Sequence, residues 1–178
     1  MPQRVLEFWF EELKPAMWWK KSAKLDERMR QSFAGLHGEA ERGELWVWRD
    51  TAAGRLAEII LLDQFSRNLW RDTPRAFAND GMALVLAQEA VAQKADQQLP
   101  VTQRSFMYMP FMHSESLLIH AQAVKLFATP GMERNYEAEI QHRDILQRFG
   151  RYPHRNEIVG RESTDEELLF LQQPGSSF

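Results

Sequence analysis

The stretch Thr51-Ala52-Ala53-Gly54-Arg55-Leu56-Ala57-Glu58-Ile59-Ile60-Leu61-Leu62-Asp63-Gln64-Phe65-Ser66-Arg67-Asn68-Leu69-Trp70 decides the fold. Thr51 is a residue type that caps helix N-termini, and behind it Leu56, Ile59, Ile60, Leu61, Leu62, Phe65 and Leu69 cover most of a helix circumference. A helix apolar almost all round belongs in a core, so the rest of the chain has to wrap it. Asp63 stands in the middle of this run, where an unpaired ionised carboxylate is strongly unfavourable. Arg67, one turn later, is in reach of it, with Arg71 a further turn on. Gln64 and Asn68 repeat the same spacing. Taken alone, such a set reads as a polar network that holds neighbouring helices in register.

Outward from this helix the helical period dominates and no segment alternates with period two. Pro2 starts a first helix that ends near Leu13, before Lys14-Pro15. Leu25, Met29, Phe33, Leu36 and Ala40 mark a second, from Ser22 to Arg42, closed by Gly43. After the Arg71-Asp72-Thr73-Pro74 turn a helix starts at Pro74 or Asp80 and reaches Gln93. Thr102 to Met109 and Pro110 to Phe127 form two segments, divided or kinked at Pro110. A further helix from Glu133 to Phe149 is closed by Gly150, and Ser163-Thr164-Asp165-Glu166 reads as a capping box for a last short one. Residues 172–178 are expected to fray. The expected architecture is all-α, a single domain over residues 1–178 with 1–171 structured.

The 178 residues suffice for one sizeable core, and 22 Lys+Arg against 25 Asp+Glu give a net charge of −3. Zero cysteines exclude disulfides, zinc–thiolate sites, iron–sulfur clusters and thiol nucleophiles. Interspersed charges with no broad basic field argue against a nucleic-acid partner. The start Met1-Pro2-Gln3-Arg4 running into Val5-Leu6-Glu7-Phe8-Trp9-Phe10 does not read as an export signal, and no apolar stretch is long enough for a bilayer. A cytoplasmic location and no membrane partner are the expectation. No phosphate loop, H-E-x-x-H, G-x-S-x-G or dinucleotide fingerprint occurs.

Polar residues on apolar stripes are the remaining signal. His113 shares a face with Met109, Leu117, Ala121 and Val124, while Glu115 points elsewhere on a helix. His142 is spaced with Ala138, Ile145, Leu146 and Phe149. The loop Gly150-Arg151-Tyr152-Pro153-His154-Arg155-Asn156 is dense in directional donors suited to an anion, or reads as a solvated turn. His113, His120, His142 and His154 have no local chelating spacing, so no metal and no cofactor is expected.

Leu62-Asp63-Gln64-Phe65-Ser66-Arg67-Asn68, Thr73-Pro74-Arg75-Ala76-Phe77, His113-Ser114-Glu115 and His142-Arg143-Asp144 resemble signature blocks of domain-of-unknown-function family 924. So do Phe149-Gly150-Arg151-Tyr152-Pro153-His154-Arg155-Asn156 and Gly160-Arg161-Glu162-Ser163-Thr164. The resemblance runs from Val5 to Leu171 and implies an all-helical fold similar to the tetratricopeptide-like arrays of antiparallel helices. It implies no activity, substrate or catalytic residue.

Two functions of different class follow. In one, Asp63, Gln64, Arg67, Asn68, His113, Glu115, His142, Arg151, His154, Arg155 and Asn156 line a pocket for a small anionic molecule, with His113 or His142 as the candidate for acid–base chemistry. In the other, the helices form a groove for a protein or peptide partner and the polar residues are structural. The first requires Arg67, His113 and Arg155 to line one accessible cavity. Either way Asp63 needs its cation. Arg67→Ala is expected to cost roughly 3–5 kcal/mol by leaving a buried carboxylate unpaired, and Asp63→Asn/Arg67→Met together to cost less. Equal and small losses in denaturant titrations of both variants would show that the pair is exposed.

Overall fold

The computed structural model describes residues 1–178 and contains helices and no strand. Helix α1 (Pro2–Glu7) opens on its proline and runs into a π turn, Phe8–Glu12, which drives Phe8 and Trp9 into the interior. There Phe8 meets Phe33 at a centroid distance of 4.8 Å, Phe33 meets Phe65 at 5.0 Å and Trp9 meets Phe106 edge-on at 5.7 Å. Such tilted and edge-on pairs add to the large area that each ring buries. Helix α2 (Ala23–Glu41) starts where the Ser22 side chain accepts the Leu25 N–H, and it buries Leu25, Met29, Phe33, His37 and Ala40 at helical spacing.

The rod expected from Thr51 to Trp70 forms, in three pieces. Helix α3 (Ala52–Ile60) is capped by the Thr51 hydroxyl at the Gly54 N–H, a π turn follows at Leu61–Phe65, and α4 (Ser66–Leu69) completes it. Every residue from Leu56 to Ser66 is buried. The π turn is the part that periodicity did not show, and it contains Asp63 and Gln64. Around it, side chains one turn on meet the backbone: Ser66 Oγ donates to the Leu62 carbonyl at 2.6 Å and Arg67 Nη1 to the Asp63 carbonyl at 2.9 Å.

Helix α5 (Asp80–Ala92) lays a stripe of Ala83, Ala87 and Ala90 inward, which lets it approach α3 and α6 (Val101–His113) closely. From there each helix packs on its predecessor: α7 (Leu117–Phe127) on α6, and α8 (Glu133–Phe149) on α7. The N-terminal half departs from this succession, since α1 packs on α3, and α2 on α4. Gly150, with φ of 71°, ends α8 in the left-handed conformation that glycine adopts without strain. The short α9 (Asn156–Val159) and α10 (Asp165–Leu171) finish the chain. No helix is long and apolar enough to cross a membrane.

Two local expectations are corrected. Pro110 does not divide a helix: α6 continues through it to His113, and the break falls at Ser114–Ser116. An internal proline costs about 3 kcal/mol, but residues 105–112 are all buried, and packing on every side holds the helix together. The capping box sits one residue later than the pattern Ser163…Glu166 suggests. Thr164 and Glu167 form it, with Thr164 Oγ1 accepting the Glu167 N–H at 3.2 Å and Glu167 Oε2 accepting the Thr164 N–H at 2.8 Å.

Gly54 shows how tightly the rod is wrapped. A Cβ there would lie 1.9 Å from the Trp48 carbonyl oxygen, in the turn Trp46–Asp50 that crosses α3. Glycine to alanine in an unobstructed helix stabilises by about 0.5–1 kcal/mol. Gly54→Ala is instead expected to destabilise by about 1–3 kcal/mol, as overpacking does. A urea midpoint equal to or above that of the wild type would show that the turn moves aside freely.

Candidate functional site

The π turn aims the buried Asp63 carboxylate at the C-terminal end of α6. His113, the last residue of that helix, meets it with Nδ1 at 2.6 Å from Asp63 Oδ1. The second oxygen, Oδ2, accepts Gln64 Nε2 at 2.7 Å, and Arg67 Nη1 lies 3.3 Å from Oδ1. Burial opposes ionisation of Asp63, but the cationic and N–H groups of His113, Arg67 and Gln64 prevail, and its pKa falls below the ordinary carboxylate range. The His113 pKa falls as well, because burial and the Arg67 charge disfavour the imidazolium more than Asp63 favours it. At neutral pH the pair is therefore a carboxylate and a neutral imidazole. Nδ1 carries the hydrogen and donates it to Asp63, which leaves Nε2 with a free lone pair.

That lone pair has no hydrogen-bond partner and is not sealed from solvent. His113 lines a pocket of about 290 Å³ together with Phe77, Asp80, Leu84, Pro110, Glu115, Arg155 and Arg161. Asp80, the first residue of α5, receives Arg67 in a two-pronged contact at 2.8 and 3.0 Å. Arg155, in the turn Pro153–Arg155, reaches Asp80 only at 3.4 Å, donates to the His113 carbonyl at 3.0 Å, and stacks over the Phe77 ring at 4.6 Å. Its Nε is buried without a partner. Glu115 takes Arg161 in a second two-pronged contact, 2.8 Å for each bond. Carboxylates and guanidiniums thus alternate, three of each, and Arg155 is the cation whose donors are least occupied. A larger hollow of about 680 Å³ shares Arg161 and contains His154 but not His113, and Asp63 lines neither of the two. The groups with chemical capacity face the smaller one.

Of the residues singled out from sequence, His113, Glu115 and Arg155 line the smaller pocket, and Asp63, Gln64 and Arg67 gather behind His113 without lining it, so the single cavity expected for Arg67, His113 and Arg155 contains only the last two. The others lie elsewhere. Asn68 does not pair with Gln64: it turns to α2, where it donates to Asp26 at 2.8 Å beside Arg71. Arg151 grips Glu167 at 2.7 and 2.8 Å, and Asn156 donates to Ser163 and Glu167, so both serve the start of α10. His142 has no carboxylate: its Nδ1 donates to the Ala138 carbonyl at 2.6 Å, and its ring lies 3.8 Å from that of Phe178, which also covers His154 at 4.4 Å. That contact places the end of the 172–178 tail over both histidines. Sequence reasoning did not assign Asp80, Phe77 or Arg161 to the site, although Phe77 and Arg161 stand in the blocks that carry the family resemblance. An aspartate in the first turn of a helix signals only a favourable dipole interaction, and the other two carried no periodic signal. No three His, Asp or Glu side chains converge in a way that could hold a metal ion.

An all-helical domain with a buried carboxylate–imidazole pair opening on a small polar pocket is the class that this geometry defines. The chain belongs to the family of bacterial proteins of unknown function designated DUF924, whose model matches residues 5–175. A solved structure of a protein of unknown function from Agrobacterium tumefaciens is similar, at 36% identity and a TM-score of 0.90 over 96% of each chain. No curated protein matches the sequence.

The neutral buried histidines set the response to acid. Burial lowers His142 and His154 to about 3, against 6.5 for a free histidine, and His113 is lowered in the same sense. A depressed folded-state pKa means that the unfolded chain takes up the proton first, so the stabilisation is complete above the unfolded value and is lost as pH falls through the window below it. Stability should therefore decline from about pH 6.5 downward, before ordinary carboxylates titrate. His142→Phe is expected to flatten this slope by about 1.4 kcal/mol per pH unit. A melting temperature unchanged between pH 6 and pH 4 (about two histidine-titrating units) would contradict the buried neutral state.

Proposed function

We propose that the protein binds a small molecule bearing an anionic group in the pocket beside His113, and that His113 acts on it as a general base. The observation that carries this reading is the 2.6 Å contact between Asp63 and His113 Nδ1 with Nε2 left unbonded beside the pocket. A carboxylate that accepts Nδ1–H fixes the tautomer and steadies the imidazolium that forms when Nε2 takes a proton. Such a base removes a proton from a bound water or from the ligand itself. Arg155 supplies recognition, since it lines the pocket and its Nη1 meets Asp80 only at 3.4 Å. The ring of Phe77 and the side chains of Leu84, Pro110 and Val159 offer the ligand an apolar wall.

The second reading is a helical interaction module in which these groups only hold helices in register. It is favoured by the fact that every guanidinium at the pocket already touches a carboxylate. The two readings separate in one set of titrations. Acetate and inorganic phosphate, followed through the His113 ring resonances and through thermal shift, are expected to bind saturably. Arg155→Ala should weaken that binding at least tenfold, about 1.4 kcal/mol, and His113→Gln should retain the fold. Resonances that do not respond to either anion, with a large stability loss in His113→Gln, would favour the structural role.

A further inference from the structure

The last carbonyls of a helix have no backbone donor within it. At the end of α6 they are met by side chains from other parts of the chain. Tyr152 Oη donates to the Met112 carbonyl at 2.6 Å, Arg155 Nη2 to the His113 carbonyl at 3.0 Å, and His120 Nε2 to the Ser114 carbonyl at 2.8 Å. The carbonyls are consecutive, and His113 is the middle residue. A carbonyl only accepts, so His120 carries its hydrogen on Nε2. Its other nitrogen, Nδ1, lies 2.6 Å from Glu139 Oε1, and one proton bridges that gap. Tyr152 Oη stands 3.1 Å from His120 Nε2, which joins the groups into one chain from Glu139 to the backbone at Met112.

His120, Glu139 and Tyr152 are fully buried, at 0% exposure, and none of them lines the pocket. A polar chain in such a place is costly unless its members are satisfied, and among the side-chain atoms of this one only Glu139 Oε2 has no partner. Burial raises the Glu139 pKa, in keeping with a carboxylic acid that donates to His120 Nδ1. The chain reaches the site through the backbone on either side of His113, and Tyr152 also touches its charged groups: its N–H donates to Glu115 Oε1 at 2.7 Å, its carbonyl accepts Arg161 Nη2 at 3.2 Å, and its ring lies against the Arg155 guanidinium at 4.8 Å.

We propose that Tyr152 and the His120–Glu139 pair are positioning residues for His113: by holding the carbonyls of Met112 and Ser114 they fix the direction from which the imidazole meets Asp63. This rests on the reading of His113 as a base paired with Asp63. A ring at the free end of a helix would otherwise swing with the fraying of the last turn. Glu139 acts at one further remove, by keeping the His120 hydrogen on the nitrogen that faces Ser114.

The test is nuclear magnetic resonance of the His113 Nδ1 proton in the full chain, which a strong bond to a carboxylate moves far downfield and protects from exchange. Tyr152→Phe deletes one oxygen and leaves the ring packing in place. It is expected to broaden this resonance and to speed its exchange about tenfold, the scale of one lost hydrogen bond. Glu139→Leu should do the same, whereas Glu139→Gln, whose amide also donates to Nδ1, should keep the signal of the wild type. A merely structural role would lower the melting temperature in these variants and leave the His113 signal as it was, which would overturn the proposal. If the wild type shows no such proton, or Asp63→Asn leaves it unchanged, the pairing with Asp63 fails and the positioning role fails with it. Loss in Asp63→Asn with no change in Tyr152→Phe and Glu139→Leu sinks the positioning role alone.

Discussion

A carboxylate with 0% exposure, Asp63, is the constraint on which the rest of the molecule turns. An isolated ion in that place would be expelled or protonated. The fold instead brings it a guanidinium from α4, an amide from its own π turn and an imidazole from the far end of α6. Each of these groups then requires its own support. Arg67 draws Asp80 and hence the start of α5, and Asp80 faces Arg155. Helix positions from four stretches of sequence are thereby tied to one pair of oxygen atoms. The hydrophobic rod supplies the free energy of burial, and the carboxylate selects which arrangement of helices can use it.

The fold was largely legible in the sequence because burial on all sides leaves an unambiguous mark. The run from Leu56 to Leu69 could only be a core helix, and Ser22, Thr51, Gly43 and Gly150 punctuate the chain where the helices start and stop. What misled was local propensity acting alone. Pro110 reads as a breaker, yet eight consecutive buried residues outweigh one missing hydrogen bond and one crowded ring. The π turn leaves no composition signal at all, since its residues are as apolar as their neighbours apart from Asp63 and Gln64.

The candidate site was legible in half. That a buried aspartate needs a partner follows from electrostatics, and the i,i+4 spacing points to Arg67. Which other group answers it does not follow, because His113 lies 50 residues away and a demand for a donor does not name the donor. The loop at 150–156 shows the converse. Its donors read as one anion-binding set, but neighbours in sequence on an irregular turn diverge in space: Arg151 faces α10, His154 the tail, and Arg155 alone the pocket. Only the helical positions, where geometry is regular, could be assigned to a common face.

The alternation of carboxylates and guanidiniums in the pocket wall and just behind it has a kinetic side. Three charges of each sign within a few ångströms cancel at a distance, so the field of the site dies away faster than that of a lone ion and is screened further within a Debye length of about 8 Å. A ligand approaching from bulk water feels little pull, and ionic strength changes its encounter rate little. On the reading proposed above, discrimination belongs to the final contact, in which a ligand takes the place of one internal partner of a guanidinium. Under the proposed binding of an anionic molecule, such a site is slow to attract and selective on arrival.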